Sequence, residues 1–305
     1  MQFCFRTIRG ICMAVIAVSG SMVFAADFSS QKLADNLYQV SGPSGNTLVA
    51  VADSGLVLVE GVPEALAESY LDYVRALTGE TRISALVNTH WHPESAGLNA
   101  AVIRAGGEVI AHVNTKQWLG ATIRRRGEEI LHTPVPASAL PTRTFYQTDT
   151  LAFKGGNIEL GYLLQVHTDG DIYAYFPAQN VLYTGPAVRS DSWAAVDEAT
   201  GGFVGALTEG LDALALMVDD NTVVVPASGP DLNRQEYVAQ MDMYKFLLAE
   251  IISLLRQSRS PEEVIIANPA VGLMPGWGDP SEFLDEGFRS FYGHLRDTKH
   301  VGFMP

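Results

Sequence analysis

The segment Asn88-Thr89-His90-Trp91-His92-Pro93-Glu94-Ser95-Ala96-Gly97 gathers the side chains best suited to chemistry in this chain. Two histidines one residue apart on an extended backbone can turn both imidazoles toward one point. Neutral imidazole is a good zinc ligand, and a catalytic zinc takes about three protein ligands while leaving a position open for water. A lone His-x-His pair is more often two surface histidines. The segment Val166-His167-Thr168-Asp169-Gly170-Asp171 supplies a third imidazole at the end of one strand and just before the next. A turn there can aim His167 back at the first pair. His90, His92 and His167 are therefore the candidate metal ligands. Three imidazoles suit zinc, with iron and manganese left open. Asp171 fits a turn-capping role.

The elements that must position these side chains read as two runs of strands, each followed by helices. Ile83 to Val87 is an apolar run and reads as a buried strand that delivers the His-x-His segment from its carboxyl end, where ligand sites in α/β sheets gather. Before it, strands are expected at Leu37 to Val40, Thr47 to Val51 and Leu56 to Glu60, then a helix over Pro63 to Thr78 stopped by Gly79. After it come helices over Ala96 to Ala105 and Asn114 to Leu131, with a strand at Glu108 to Ala111 between them. The second run has strands at Thr150 to Phe153 and Ile158 to Val166 around a Gly155-Gly156-Asn157 turn. Strands at Asp171 to Phe176 and Val181 to Tyr183 flank Pro177 to Asn180. Helices over Phe203 to Val218 and Asn233 to Ser258 surround a strand at Thr222 to Val225, and a short amphipathic helix over Ser281 to Leu295 closes the chain. This alternation defines an α/β protein.

With 305 residues, 47% of them hydrophobic and 18% charged, the chain can bury one large core and is not a disordered polymer. Met1 to Ala25 stands apart. Arg6 and Arg9, the apolar run Ile11 to Val18 and the end Val23-Phe24-Ala25 read as a secretory signal peptide, too short in its apolar part for a comfortable membrane span. The expectation is cleavage after Ala25, a single domain over 26–305, no stable membrane span afterwards, and a periplasmic or secreted location. Both cysteines, Cys4 and Cys12, fall in the leader, so the mature chain holds no disulfide, catalytic thiol or thiolate ligand. The formal charge of −14 becomes −16 without Arg6 and Arg9. Such an acidic balance argues against a nucleic-acid partner, since phosphate binding needs a basic footprint.

On these residues the chain resembles the metallo-β-lactamase superfamily. Thr89 to Glu94 is similar to the family's His-x-His-x-Asp-His signature, and His167-Thr168-Asp169-Gly170-Asp171 to its His-Thr-x-Gly-Asp block. Val181 to Pro186 looks like its Val-Leu-Phe-x-Gly-Asp block, and Val224 to Pro230 like its Val-Pro-Gly-His-Gly-Pro block. The resemblance covers nearly all of the chain from Leu37 onward and points to periplasmic metallohydrolase-like members. It implies a four-layer αββα sandwich and a first metal site built from His90, His92 and His167. It also marks a degenerate second site. The four positions that would hold the second metal carry Glu94, Ser95, Pro186 and Ser228. Proline cannot coordinate, and neutral serine is a poor zinc ligand. Two-metal catalysis is therefore not expected.

What the resemblance leaves is a mononuclear zinc hydrolase of a small-molecule ester or amide, with Glu94 as the catalytic base. Glu94 serves equally well as a partner that hydrogen-bonds a ligand histidine. β-Lactams are possible substrates, but a fold does not fix a substrate. The alternative is a non-catalytic descendant that binds a ligand or partner protein in the old cleft. An iron-dependent dioxygenase of the persulfide kind would need a carboxylate where Pro186 stands. Ser95 and Ser228 read as structural, as does His112, while His132, His294 and His300 read as surface residues. Trp91 suits a pocket wall or the core. Arg189 and Trp193, in the loop after Pro186, could contact substrate. Substrate identity and oligomeric state are not written in the sequence.

Overall fold

A computed structural model describes residues 28–124 and 131–301, with side chains through residue 293. The expected leader and its two cysteines lie outside the described residues, as do the side chains of His294 and His300.

The first half builds a seven-stranded sheet from β1 (Ser29–Ala34), β2 (Leu37–Gly42), β3 (Gly45–Ala52), β4 (Gly55–Val59), β5 (Ile83–Val87), β6 (Glu108–His112) and β7 (Arg143–Phe145), neighbours in chain order. The first four run antiparallel through tight turns; β4 to β7 run parallel because helices carry the returns. These helices are α1 (Ala67–Thr78), α2 (Pro93–Ala96), α3 (Asn99–Arg104) and α4 (Val113–Leu119). The second half builds a five-stranded sheet in the order β12-β11-β10-β9-β8 from β8 (Thr148–Phe153), β9 (Gly156–Leu163), β10 (Asp171–Phe176), β11 (Val181–Tyr183) and β12 (Val223–Val225). Here α5 (Val204–Ala215) separates β11 from β12, and α6 (Arg234–Arg256), α7 (Pro261–Ala267) and α8 (Ser281–Val301) follow.

Alternation of side chains along each strand makes two faces, and both are covered. Leu48, Val57, Val87 and Ile110 of the first sheet meet Ile158, Leu160, Ile172 and Phe176 of the second in a shared core. The opposite face of the first sheet, through Val49, Leu58 and Leu86, packs on Tyr70 and Val74 of α1 and Val102 of α3. The opposite face of the second sheet, through Leu182 and Val224, packs on Leu207, Tyr244, Leu247 and Leu284 of the later helices. That is the αββα sandwich the resemblance implied.

Three expectations need correction. The helix expected over Asn114 to Leu131 stops at Leu119. Gly120 weakens the helix, and the backbones of Ile123 and His132 pair with each other at 2.9 and 2.8 Å instead. The helix expected over Ala96 to Ala105 is two short pieces, because Gly97 lies against the backbone of Val62 to Glu64, where a Cβ would collide. The strand expected to run to Val166 ends at Leu163; Gln165 takes φ 57° and swings the chain so that His167 faces inward. Strands β1 and β7 and helix α7 were not anticipated. No helix among the described residues is long and apolar enough to cross a membrane.

Candidate metal centre

Loops at one edge of the sandwich meet over the strand ends. The segment after β5 is stitched to the second sheet by Ile172 N–H donating to Thr89 O at 2.9 Å. The β9–β10 turn is stitched to the loop after β11 by Asp197 N–H donating to His167 O at 2.8 Å. These contacts bring His90, His92 and His167 together, all three buried, with one potential ligand atom from each lying within 4.8 Å of the others.

The outer nitrogens of two of the rings are held. His167 Nδ1 lies 2.8 Å from the Ala195 carbonyl, an acceptor only, so Nδ1 carries the proton and Nε2 the lone pair. His92 Nε2 lies 2.9 Å from the Asp197 carboxylate, which sets the opposite tautomer, with the lone pair on Nδ1. Those two inner nitrogens face each other at 3.0 Å. Two lone pairs at that distance repel unless a cation or a shared proton lies between them. His90 Nδ1 faces Ser95 Oγ at 3.0 Å and Thr89 Oγ1 at 3.3 Å, with Glu60 Oε2 at 3.7 Å. The donor set of three imidazoles fits a metal, as do the tautomers and back-side hydrogen bonds of His92 and His167, while Ser95 Oγ lies 3.0 Å from Nδ1 and 3.2 Å from Nε2 of His90.

Two acids behind the histidines were missed in the sequence. Asp197 sits in a loop without periodicity, and only the fold brings it to His92. Its other oxygen accepts from Ala199 N–H at 3.1 Å, which fixes the carboxylate. Glu60 carries a legible signal, an acid ending the apolar run Leu56 to Val59 directly before Gly61. It takes φ 74°, accepts from Gly61 N–H at 3.0 Å and from the Thr89 hydroxyl, and is pushed up to about 7, chiefly by burial.

Asp171 also sits behind the site. Its carboxylate accepts from His167 N–H at 2.6 Å, Thr168 N–H at 2.8 Å and the Thr168 hydroxyl at 2.6 Å, which caps the turn that presents His167. Burial, the largest cause, raises it to about 7. Trp91 is core, its indole N–H donating to Thr200 Oγ1 at 2.9 Å. His112 caps α4 and stacks on Tyr162 at 4.1 Å. His132 is half-buried with its ring edge-on to Trp91. Trp193 donates to Gly278 O and packs on Trp277 and Phe283, so it anchors the C-terminal region. Arg189 lines a polar cavity of about 800 Å³ with Gln39, Asp191 and Ser228.

The second-site positions diverge. Glu94 keeps its carboxylate half-exposed, with Oε1 3.8 Å from His92 Nδ1. Ser95 turns to His90, Ser228 donates to Asp191 at 2.7 Å, and Pro186 is buried.

A family model described as the metallo-beta-lactamase superfamily matches residues 41–229, and the chain belongs to that superfamily. No curated protein matches it. Among solved structures it is similar to a metallo-beta-lactamase from Pontibacter korlensis, at 18% identity and a TM-score of 0.55 over 72% of this chain and 99% of that one. It is similar to metallo-beta-lactamase IND-7 at 19% identity and a TM-score of 0.57, over 72% and 98%. It also resembles the stereoselective inverting sec-alkylsulfatase Pisa1 from Pseudomonas sp., at 18% identity and a TM-score of 0.62, covering 88% of this chain and 50% of that one. At these identities the likeness is one of fold.

Proposed function

We propose that this protein is an exported, metal-dependent hydrolase that uses one zinc ion to cleave an ester or amide of a small molecule. The observation that carries the reading is the pair of inner nitrogens on His92 and His167, whose tautomers are set by Asp197 and the Ala195 carbonyl so that both lone pairs point at one spot. His90, His92 and His167 would hold the ion; when bound, it supplies Lewis-acid activation of water and of a carbonyl.

Glu94 is the base in this reading. Its carboxylate stands beside His92 Nδ1 and is open to solvent on its other side. It takes a proton from the attacking water as the new C–O bond forms, and returns it to the departing oxygen or nitrogen as the scissile bond breaks. Asp197 and the Ala195 carbonyl keep His92 and His167 oriented throughout. The Met1 to Ala25 leader supports export, and the acidic balance supports a substrate other than nucleic acid.

Metal content of the purified chain tests this. The expected result is about one zinc per chain, with Glu94→Gln retaining the zinc and losing ester turnover by about 10²-fold or more. Unchanged turnover in Glu94→Gln would remove the base role. The replacement of second-site ligands by buried Pro186 and by Ser228 favours one other reading, a non-catalytic binding protein. Failure to take up zinc when it is supplied would select that reading.

A further inference from the structure

Beside the histidine cluster lies a second cavity, of about 500 Å³, that the metal chemistry does not use. Its walls come from α2, α3, α4 and the segment around Pro136, and they are mostly apolar: Trp91, Ala96, Ala100, Trp118, Leu119 and Pro136. The two indoles are fixed, Trp91 by Thr200 at 2.9 Å and Trp118 by Asp169 at 2.5 Å, so the cavity is preformed. Among the described residues, the titratable groups that line it are Glu64, Glu94 and His132. Glu94 belongs to both places, being a wall of this cavity and 3.8 Å from His92 Nδ1. A molecule with its reacting bond at Glu94 can therefore place one of its ends in this apolar volume.

We propose that the cavity binds the apolar, uncharged end of the substrate, an aryl or alkyl group about the size of phenylbutyl, and that this protein prefers hydrophobic esters or amides over small or anionic ones. The proposal rests on the hydrolase reading above and names the substrate class for it. Burial of the group against Trp91, Trp118 and Leu119 supplies affinity. The carboxylates of Glu64 and Glu94 oppose an anionic group in the same volume.

The test uses the zinc-loaded mature chain with two measurements. In titration calorimetry, 4-phenylbutanol should bind, 4-(4-hydroxybutyl)benzenesulfonate, whose charge sits on the ring end, should bind at least tenfold more weakly, and Ala100→Phe, which fills the cavity from α3, should abolish binding while zinc content and melting temperature hold. Ala121→Phe, on the rim after α4, repeats the test should Ala100→Phe fail to fold. In kinetics, kcat/KM for p-nitrophenyl acetate, butyrate and hexanoate should rise by about fourfold per methylene until the cavity is full. Hydrolysis indifferent to chain length, with no phenylbutanol bound, overturns the cavity and leaves the hydrolase reading intact. Phenylbutanol bound and lost in the filled variant, with no ester turned over, overturns the hydrolase reading and supports the cavity. Tighter binding of the ring sulfonate than of phenylbutanol overturns the assignment of an uncharged end.

Discussion

The two halves of the metal region have diverged in opposite ways. Around His90, His92 and His167 each ring keeps a polar partner behind it: Ser95 and Thr89 for His90, Asp197 for His92, and the Ala195 carbonyl for His167. Around the positions of the second metal the polar groups have turned to other tasks. Ser95 serves His90, Ser228 serves Asp191, and Pro186 offers no donor at all. A site left without a role has no reason to keep buried, oriented imidazoles at the cost of desolvation. The hydrogen bonds behind the first three histidines, next to their absence at Pro186 and Ser228, are what the proposed one-metal site rests on.

The sharpest way to break this comparison is to delete one side chain from each half. His92→Ala should remove zinc altogether, whereas Ser228→Ala should leave zinc stoichiometry at about one per chain. Elemental analysis of the two variants decides it, and zinc lost in Ser228→Ala would show the second half still takes part. A smaller effect is expected one layer out. Asp197→Ala frees His92 to rotate and should lower zinc affinity by about 10- to 100-fold with the fold intact. Asp191→Ala, which removes the partner of Ser228, should change affinity by less than about twofold. Competition with a chromogenic chelator reads both, and equal losses would mean the two acids act only through general charge.

The ligand histidines were legible because metal binding demands a particular residue type at a particular spacing, and His90, His92 and His167 show it without the fold. The strand that delivers His90 and His92 was legible too, whereas the end of the strand before His167 was not. Ile83 to Val87 is continuous and apolar because β5 is buried on both faces, and the bounds read from sequence match the strand. Asp197 was hidden for the complementary reason. One carboxylate in an aperiodic loop has no pattern, and its role exists only because α6 and α8 pin that loop: Ala194 N–H donates to Tyr244 Oη at 2.8 Å and Val196 N–H to Glu286 Oε2 at 3.1 Å. The early end of α4 was hidden because Gly120 inside a helical pattern is tolerated as often as it terminates. Here the Ile123–His132 backbone pairing takes the chain elsewhere.

That pinned loop gives a third contrast, one of shape. Gly202 closes it at the point where a Cβ would collide with His167 O and come within 2.9 Å of Asp197 N. Gly202→Ala must push the loop away from His167. It should cost about 1–3 kcal/mol of stability and weaken zinc binding at the same time. Gly106, with nothing within 4 Å of its Cβ direction but φ 82°, is the control. Gly106→Ala should cost less, through backbone strain alone, and leave zinc binding unchanged. Thermal melts with and without zinc separate the two.

The last contrast lies at the far end of the same loop and concerns pH. Glu286 holds Val196 N–H from α8, and burial, the largest cause, raises its carboxyl from 4.5 to about 7, with Glu282, Glu198 and Asp197 adding to the rise. A carboxyl raised in the folded state prefers to be protonated there. Its contribution is therefore fully present below pH about 4.5 and is lost as pH rises through about 7. Between those limits the loss is on the order of 2 kcal/mol, allowing for partial exposure. Glu286→Gln mimics the protonated form and keeps an acceptor for Val196. It should match the parent chain at pH 5, exceed it at pH 8, and flatten this part of the stability profile in urea melts. Because Glu286 acts on the loop through Val196, zinc stoichiometry should not change. If the variant instead loses stability equally at both pH values, Glu286 acts through its packing and its contact with Val196, and its titration plays no part.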